Sequence, residues 1–440
     1  MVVSLSSTLA VFGTLAVLLG FSTKPLQPVP LQPQTLVARW DAPWVERLTP
    51  DPVMEGLVAE YLKTLDKGGW RLPAQGLWLQ AGSFPVIEHQ GQVPLPAASL
   101  TKIATTLAAL ETWGVEHQFE TRIGISGTLQ DGVVQGDLVV LGGGDPLFVW
   151  EEAIAVANDL QRYGIQRVTG NLVVLGDFAM NFQTDPMKAG SQLRRAFDQD
   201  LWPRETHTQF ATLPAGTPAP TLRIDGGVRL APKGEVTWLM SRRSLPMVAL
   251  LKAMNTYSNN TMAEMIAAGS GGAAAVMAKA QAAANLPSGE LQLTNGSGLG
   301  EENQMSARAV VAMLIAMQGI LQEQGFSVAD VMPVAGKDMG TLRNRQIPAQ
   351  SAAKTGSLSV VSCLAGFVPT AERGPVWFAI INGGWNLEEL RAQQDLLLQT
   401  VQGRWGVAPP PPELREQVRL DQAPYRLGDS RRNQRLPARG

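Results

Sequence analysis

The chain has 440 residues, of which 45% are hydrophobic and 17% are charged, so it can build a sizeable core and is not a wholly disordered protein. The length allows about two or three domains, and the formal net charge of -2 gives no electrostatic case for nucleic acid as a partner. The single cysteine, Cys363, excludes an internal disulfide, and the three histidines lie far apart without the spacing of metal ligands.

Residues 1–23 are the first segment whose composition differs from the rest of the chain. Positions 3–21 are apolar and uncharged, a length that fits a short transmembrane helix or the apolar region of a signal peptide. A basic start and a clear small-residue cleavage site are missing, which slightly favours an uncleaved anchor over a cleaved signal, and either one predicts export. The proline-rich stretch that follows predicts a linker over residues 24–50.

The next segment places a serine and a lysine on one helix, which begins after Pro96 and runs to Trp113. Ser99 falls in the first turn, three residues before Lys102, so the two side chains share a face. The helix dipole favours negative charge on Ser99, and Lys102 can act as its base if burial or a neighbouring positive charge keeps the amine neutral. Upstream of this helix, the apolar pattern predicts one further helix and two strands, over residues 51–67, 76–79 and 84–87.

Residues 119–232 differ from their surroundings in their many short β-like runs between glycines. The pattern predicts one helix and three strands, over residues 150–163, 121–125, 138–141 and 171–175. The glycine-rich run 142–146 would suit a phosphate-binding loop, but no Gly-Lys-Ser/Thr follows it, so a tight turn is the better interpretation. The region contains no catalytic constellation, and we interpret it as an inserted, mainly β domain.

Residues 233–405 return to helices and end in strands and a closing helix. Polar Ser258-Asn259-Asn260 interrupts the first helical run, and the simplest interpretation of this interruption is a cap or turn. The pattern predicts helices over 243–268, 273–284, 306–317 and 387–401, and strands over 360–368 and 376–382. Residues 406–440 are rich in proline and arginine without apolar periodicity, which predicts a disordered tail.

Three short motifs follow one another along the chain: Ser99-x-x-Lys102 at a helix start, Ser258-x-Asn260 between helices, and Lys354-Thr355-Gly356 at a strand. Together they resemble the motif set of the class C low-molecular-mass penicillin-binding proteins, the D-alanyl-D-alanine carboxypeptidase/endopeptidase family with an insert domain. The long gap between the first two motifs distinguishes this family from the class A β-lactamases. Flanking segments are also similar to those of the family, at residues 258–264, 295–299, 340–345 and 353–358.

The resemblance implies an α+β fold of the penicillin-binding and serine β-lactamase type, with an antiparallel sheet flanked by helices. Residues 51–118 and 233–405 would form the catalytic domain, and residues 119–232 the inserted β-rich domain. The implied activity is hydrolysis of D-alanyl-D-alanine in peptidoglycan stem peptides through a serine acyl-enzyme, without metal or organic cofactor. DD-endopeptidase activity is a second implication.

The same resemblance implies the partners and the location of the protein. The partners are peptidoglycan peptides and β-lactam antibiotics, with no nucleic acid among them. The location is the exported cell envelope, the periplasm. The membrane is a further partner if residues 1–23 remain attached as an anchor.

Each motif residue also receives a role from the resemblance. Ser99 is the nucleophile, and Lys102 takes its proton. Ser258 relays a proton to the leaving amine, and Asn260 holds Lys102 and the substrate backbone. Lys354 faces the same cleft and is expected to lower the pKa of Lys102 by charge repulsion.

The third motif is expected to bind the substrate. Lys354 and Thr355 would hold the terminal carboxylate, and Gly356 would let the substrate lie against the strand. The backbone N–H groups of Ser99 and Ser357 would form the oxyanion hole.

Some residues depart from the family pattern or allow a second interpretation. Asn259 and Asn295 stand where the family has aspartate, which bears on substrate preference. Arg343 and Arg345 either bind substrate or pin a loop, and we favour the loop. Two other functions stay open, a β-lactamase or esterase of the same fold, which would need fast deacylation, and a non-catalytic wall-binding protein.

Overall fold

The computed structural model describes residues 51–232 and 234–437, all of which belong to one unit, Pro50–Gly440. The predictions of an export signal or anchor over 1–23 and of a linker over 24–50 lie outside the described residues. Within the described ranges, no helix is both long and apolar enough to cross a membrane.

The described residues contain ten α-helices: α1 Pro52–Lys67, α2 Thr101–Trp113, α3 Trp150–Arg162, α4 Pro186–Ala196, α5 Arg204–Phe210, α6 Met247–Tyr257, α7 Asn260–Gly269, α8 Ala273–Ala283, α9 Ala307–Glu323 and α10 Leu387–Trp405. The strands of the same part of the chain are β1 Gln75–Ala81, β2 Phe84–His89, β3 Leu95–Pro96, β4 Glu120–Gln130, β5 Val133–Gly143, β6 Arg167–Val168, β7 Leu172–Asp177, β8 Arg223–Ile224, β9 Val228–Arg229, β10 Thr237–Arg243, β11 Leu291–Gln292, β12 Gln304–Met305, β13 Ala352–Leu358, β14 Val361–Thr370, β15 Gly374–Gly383 and β16 Asn433–Arg435.

A five-stranded antiparallel sheet separates two hydrophobic cores. Its order is β13-β14-β15-β1-β2, so the last three long strands join the first hairpin across the domain. Along β15, Phe378 and Ile380 enter the core shared with α1 and α10, whereas Trp377 and Ala379 enter the core shared with α2 and α9. This alternation is the period of a strand covered on both faces. The predicted α+β fold, an antiparallel sheet flanked by helices, is therefore confirmed.

The insert is built on a second, mixed sheet. The long hairpin β4–β5 pairs with β10 on one side and, in parallel, with β6 and β7 on the other. A parallel connection requires a crossover, which α3 supplies, and apolar residues of α3 and α4 fill the core beneath the sheet. The insert therefore differs from the mainly β prediction, and it continues beyond residue 232, because β10 belongs to its sheet.

The tail predicted to be disordered is ordered as far as residue 437, and we call residues 406–437 the C-terminal strap. Leu414 and Val418 are buried in the core shared with α2 and α9, and β16 pairs with β10 of the insert. Between these points, Glu416 forms an ion pair with Lys252 of α6 (Nζ–Oε1 2.6 Å). The strap thus runs from α6 to the insert, and its isolated anchors have no helix or strand period that a sequence pattern could detect.

Candidate active site

The nucleophile candidate Ser99 lies in a short 3-10 turn, Ala98–Leu100, immediately before α2. The turn begins with Ala98 in the left-handed region (φ 47°), a conformation that costs energy for a residue with a Cβ. Gly298 packs on the Ala98 carbonyl so closely that a Cβ on Gly298 would come within 1.9 Å of that oxygen. Ser99 therefore precedes the α-helix, whereas the sequence predicted it inside the first helical turn.

Lys102 is fully buried on α2 and brings the first two motifs together. Its Nζ lies 3.0 Å from the Oγ of Ser99, 2.8 Å from the Oδ1 of Asn260 and 2.7 Å from the carbonyl oxygen of Ser297. The juxtaposition of Ser99 and Lys102 follows from the i, i+3 spacing, because residues three apart lie on one face. The contact with Asn260 depends on how α7 packs against α2.

Ser258 occupies the corner between α6 and α7. It closes α6 in the left-handed conformation (φ 53°), and the side chain of Asn259 then caps α7 by accepting from the Met262 backbone N–H at 2.9 Å. Asparagine and aspartate are both good caps, so the departure at Asn259 leaves this turn intact. The sharp corner places Ser258 and Asn260 on the same side as Lys102.

The third motif lies on the edge strand β13. Lys354 is fully buried and donates to the Oγ of Ser258 at 2.9 Å and to the carbonyl of Thr355 at 2.7 Å. Gly356 packs against the turn that carries Ser99, since a Cβ at this position would stand 3.2 Å from the Ser99 nitrogen and 3.0 Å from the Ala97 carbonyl oxygen. The absence of a side chain therefore lets β13 approach the turn that carries Ser99.

Two contributors to the site were missed by the sequence prediction, the carbonyl of Ser297 and the side chain of Glu264. Glu264 accepts from the backbone N–H groups of Gly296 and Ser297 at 3.1 and 2.9 Å and so holds the loop that presents this carbonyl to Lys102. Both residues stand in the flanking segments that resemble the family, which was the available signal.

Asn295 closes the same loop through both ends of its amide. Its Oδ1 accepts from the N–H of Gly298 at 2.7 Å, and its Nδ2 donates to the carbonyl of Leu299 at 2.7 Å. The carboxylate found at this position in the family pattern has no N–H to donate. The departure at Asn295 therefore changes the local pairing while the loop stays closed.

A family model described as the D-Ala-D-Ala carboxypeptidase 3 (S13) family matches residues 80–185 and 222–402, well over half of the chain. The chain belongs to this family. The resemblance seen in the three motifs is thereby confirmed, as is the class of enzyme, a serine-type D-Ala-D-Ala carboxypeptidase.

Curated relatives support the same assignment for this S13 carboxypeptidase. Carboxypeptidase DacB of Mycolicibacterium smegmatis is 26% identical over 432 residues, which cover 86% of this chain and 91% of the relative. The D-alanyl-D-alanine carboxypeptidase of an Actinomadura species is 25% identical over 462 residues, covering 80% and 82%. A penicillin G-acylated predatory endopeptidase from Bdellovibrio bacteriovorus, solved with its immunity protein, shares the fold at 19% identity (TM-score 0.66, 82% of this chain and 99% of that chain).

Burial governs the electrostatics of the two lysines in this S13 carboxypeptidase. It lowers the pKa of Lys102 to about 8, although the nearby charge of Glu264 acts in the opposite direction. The pKa of Lys354 is held well below its ordinary value, first by burial and then by the charge of Lys102. The sequence prediction was that the charge of Lys354 lowers the pKa of Lys102. In the structure, burial of the Lys102 amine is the main cause of its lowered pKa.

Arg345 is engaged away from the reacting groups. Its Nε donates to the Oδ1 of Asp395 on α10 at 2.8 Å, and both side chains of this ion pair are almost fully buried. Asp395 also accepts from the backbone N–H of Gln346 at 2.8 Å. These contacts fasten the loop to α10, as expected for an arginine that pins a loop.

Proposed function

We propose that Ser99 is the nucleophile with which this carboxypeptidase cleaves the bond between two D-alanines in peptidoglycan stem peptides. The observation that carries the proposal is the buried Nζ of Lys102, 3.0 Å from the Oγ of Ser99. The Oγ attacks the carbonyl carbon, the terminal D-alanine leaves with its nitrogen protonated, and water then releases the acyl group from the serine.

Lys102 acts as the general base in its neutral form. A neutral amine has two N–H bonds and one lone pair, and Lys102 has three polar neighbours. Asn260 and Ser297 offer only acceptor oxygens at 2.8 and 2.7 Å, so they take the two N–H bonds. The lone pair is then left for the hydroxyl proton of Ser99.

The remaining motif residues serve the leaving group and the developing charge. Ser258, which accepts a hydrogen bond from Lys354, passes a proton to the leaving amine. Lys354 and Thr355 bind the terminal carboxylate, and the backbone N–H groups of Ser99 and Ser357 stabilise the oxyanion, an effect typically worth about 3 kcal/mol for each donor. The close approach of Gly356 to the Ser99 nitrogen supports this pairing of donors.

Covalent labelling tests the nucleophile directly. The protein is incubated with penicillin, digested and mapped by mass spectrometry, and we expect the penicilloyl group on the peptide that contains Ser99. Release of D-alanine from a synthetic stem peptide is measured in parallel. An unchanged protein mass after prolonged incubation, or an adduct on another serine, would contradict the proposal.

The pH profile of acylation tests the state of Lys102. Because protonated Lys102 cannot accept a proton, the acylation rate is expected to rise with pH around a midpoint near 8, the pKa of this amine. Glu264→Gln removes a charge that raises this pKa, so its midpoint should move to lower pH. Glu55→Gln, which removes an exposed carboxylate of α1, is the matched control and should leave the midpoint unchanged.

The endopeptidase activity expected beside the carboxypeptidase activity is a matter of bond specificity. Mass spectrometry of cross-linked peptidoglycan fragments after incubation reads which bonds are cut. The lifetime of the penicilloyl enzyme distinguishes a carboxypeptidase from the alternative of a β-lactamase, which requires rapid hydrolysis of the acyl group. The non-catalytic alternative requires that Ser99→Ala retain the biological role.

The location of the enzyme follows from its polymer substrate, which lies in the cell envelope. We extend the proposal to residues 1–23, whose apolar composition would direct export of the chain. Fractionation of cells that express the full chain, combined with N-terminal sequencing, tells a retained membrane anchor from a cleaved signal. Accumulation of the protein in the cytosol would contradict this part of the proposal.

A further inference from the structure

The outer face of β13 opens onto a polar cleft that the proposed reaction leaves partly unused. Side chains alternate along a strand, and while Lys354 is directed to Ser258, the side chains of Thr355 and Ser357 line a cleft between β13 and α10. The cleft therefore begins at the residues that would receive the carboxylate end of the substrate.

Two arginines and two carboxylates line this cleft, and only one arginine is free to take a ligand. Arg345 is occupied by its ion pair with Asp395. Arg391 is half-buried and donates from Nη2 to the Oγ of Ser357 at 3.1 Å. Among the described residues, no carboxylate lies within 4.0 Å of the Arg391 guanidinium, so Arg391 forms no ion pair, although Glu388 lines the same cleft.

The position of Arg391 is fixed by the packing of α10. Gln394, on the same helix, donates to the carbonyl of Ser362 at 3.0 Å and to the Oδ1 of Asn382 at 2.7 Å, both of them on strands of the main sheet. A functional group on a rigid element is held more accurately than one on a loop. Arg391 therefore faces Ser357 as a built feature of the fold.

We propose that Arg391 determines specificity by binding the substrate carboxylate next to the scissile bond, together with the hydroxyls of Thr355 and Ser357. The inference rests on the proposed function and adds a second cationic group to Lys354, whose Nζ donates to Ser258 and to the Thr355 carbonyl. Hydroxyl groups supply hydrogen bonds but no charge, whereas a guanidinium pairs with a carboxylate through two parallel N–H bonds. Glu388, an exposed carboxylate on the rim of the same cleft, opposes an anionic ligand.

Two peptides that differ in one group test this assignment. Both end in D-Ala-D-Ala, one with a free carboxylate and one with a carboxamide, and kcat/KM is measured for each. Arg391→Gln is expected to lower kcat/KM for the acid by about 10- to 100-fold, the range of a hydrogen bond to a charged group, and to change the amide little. Arg391→Lys should keep part of the preference for the acid, and Glu388→Gln should increase it.

The controls separate recognition from folding and from a structural role. Arg195→Gln, which removes an exposed arginine of α4 in the insert, should leave both peptides unaffected, and thermal unfolding should be the same for all variants. An equal loss on acid and amide would mean that Arg391 only positions Ser357, and kcat/KM unchanged on both peptides would exclude any role; either result overturns the inference. A wild-type enzyme inert on both peptides would overturn the proposed function, and this inference with it.

Discussion

Lys102→Met is expected to lower the rate of acyl-enzyme formation by roughly 10²- to 10⁴-fold, the range that a positioned general base contributes. Methionine keeps an unbranched apolar side chain, one atom shorter than that of lysine, but has no basic nitrogen to take the proton of Ser99, whose Oγ lies 3.0 Å from Nζ in the wild type. Stopped-flow acylation by a fluorescent penicillin measures the loss, and Ser99→Ala, which lacks the proposed nucleophile, marks the background.

A matched substitution shows whether the loss belongs to the site. Lys63→Met removes an exposed lysine of α1 whose partner is Glu60, and it should leave acylation unchanged. Lys102→Met also leaves the Asn260 and Ser297 oxygens without a donor, so unfolding by urea is followed for each variant. If folded Lys102→Met acylated within a few-fold of wild type, another group would have to be the base.

The three motifs were predictable because each is local in sequence. Ser99 and Lys102 share a helix face because of their spacing alone, and the Lys354-Thr355-Gly356 motif is recognisable as three consecutive residues in a predicted strand. How the motifs come together could not be predicted from local sequence, because the contact from Lys102 to Asn260 spans 158 positions and the contact from Lys354 to Ser258 spans 96. Only the match of the whole set to a known family, and not periodicity, related these distant pairs.

Features that depend on packing alone could not be predicted. The C-terminal strap is held by single buried residues such as Val418 and by ion pairs whose partners are far away, with Glu416 and Lys252 separated by 164 positions. Local composition therefore resembled a solvated tail. The position of Arg391 could not be predicted either. It lies opposite Ser357 because of how α10 packs on the sheet, and no sequence motif surrounds it.

Glu152→Gln is expected to reduce the free energy of unfolding by about 3–5 kcal/mol, the cost of breaking a buried ion pair. Glu152 is fully buried on α3, where its Oε2 accepts from the Nε of Arg242 at 2.7 Å and its Oε1 accepts from Arg432 of the strap at 2.6 Å. Glutamine would remove the carboxylate that pairs directly with both guanidinium groups. Urea unfolding measures the change, and Asp225→Asn, in the exposed pair with Arg167, should cost less than about 1 kcal/mol.

The pH dependence of this difference gives a second test. Burial opposes ionisation of Glu152, but the charges of Arg242 and Arg432 outweigh it and hold the pKa of this carboxyl below its ordinary value of 4.5. A carboxylate with a lowered folded-state pKa stabilises the protein above its unfolded pKa, and the contribution is lost as the pH falls through the folded value. The gap between wild type and Glu152→Gln should therefore shrink as the pH falls through the acid range in which Glu152 is protonated. A gap that does not change on acidification would assign the loss to packing around α3, since the charge pairing of Glu152 with Arg242 and Arg432 is lost when Glu152 is protonated.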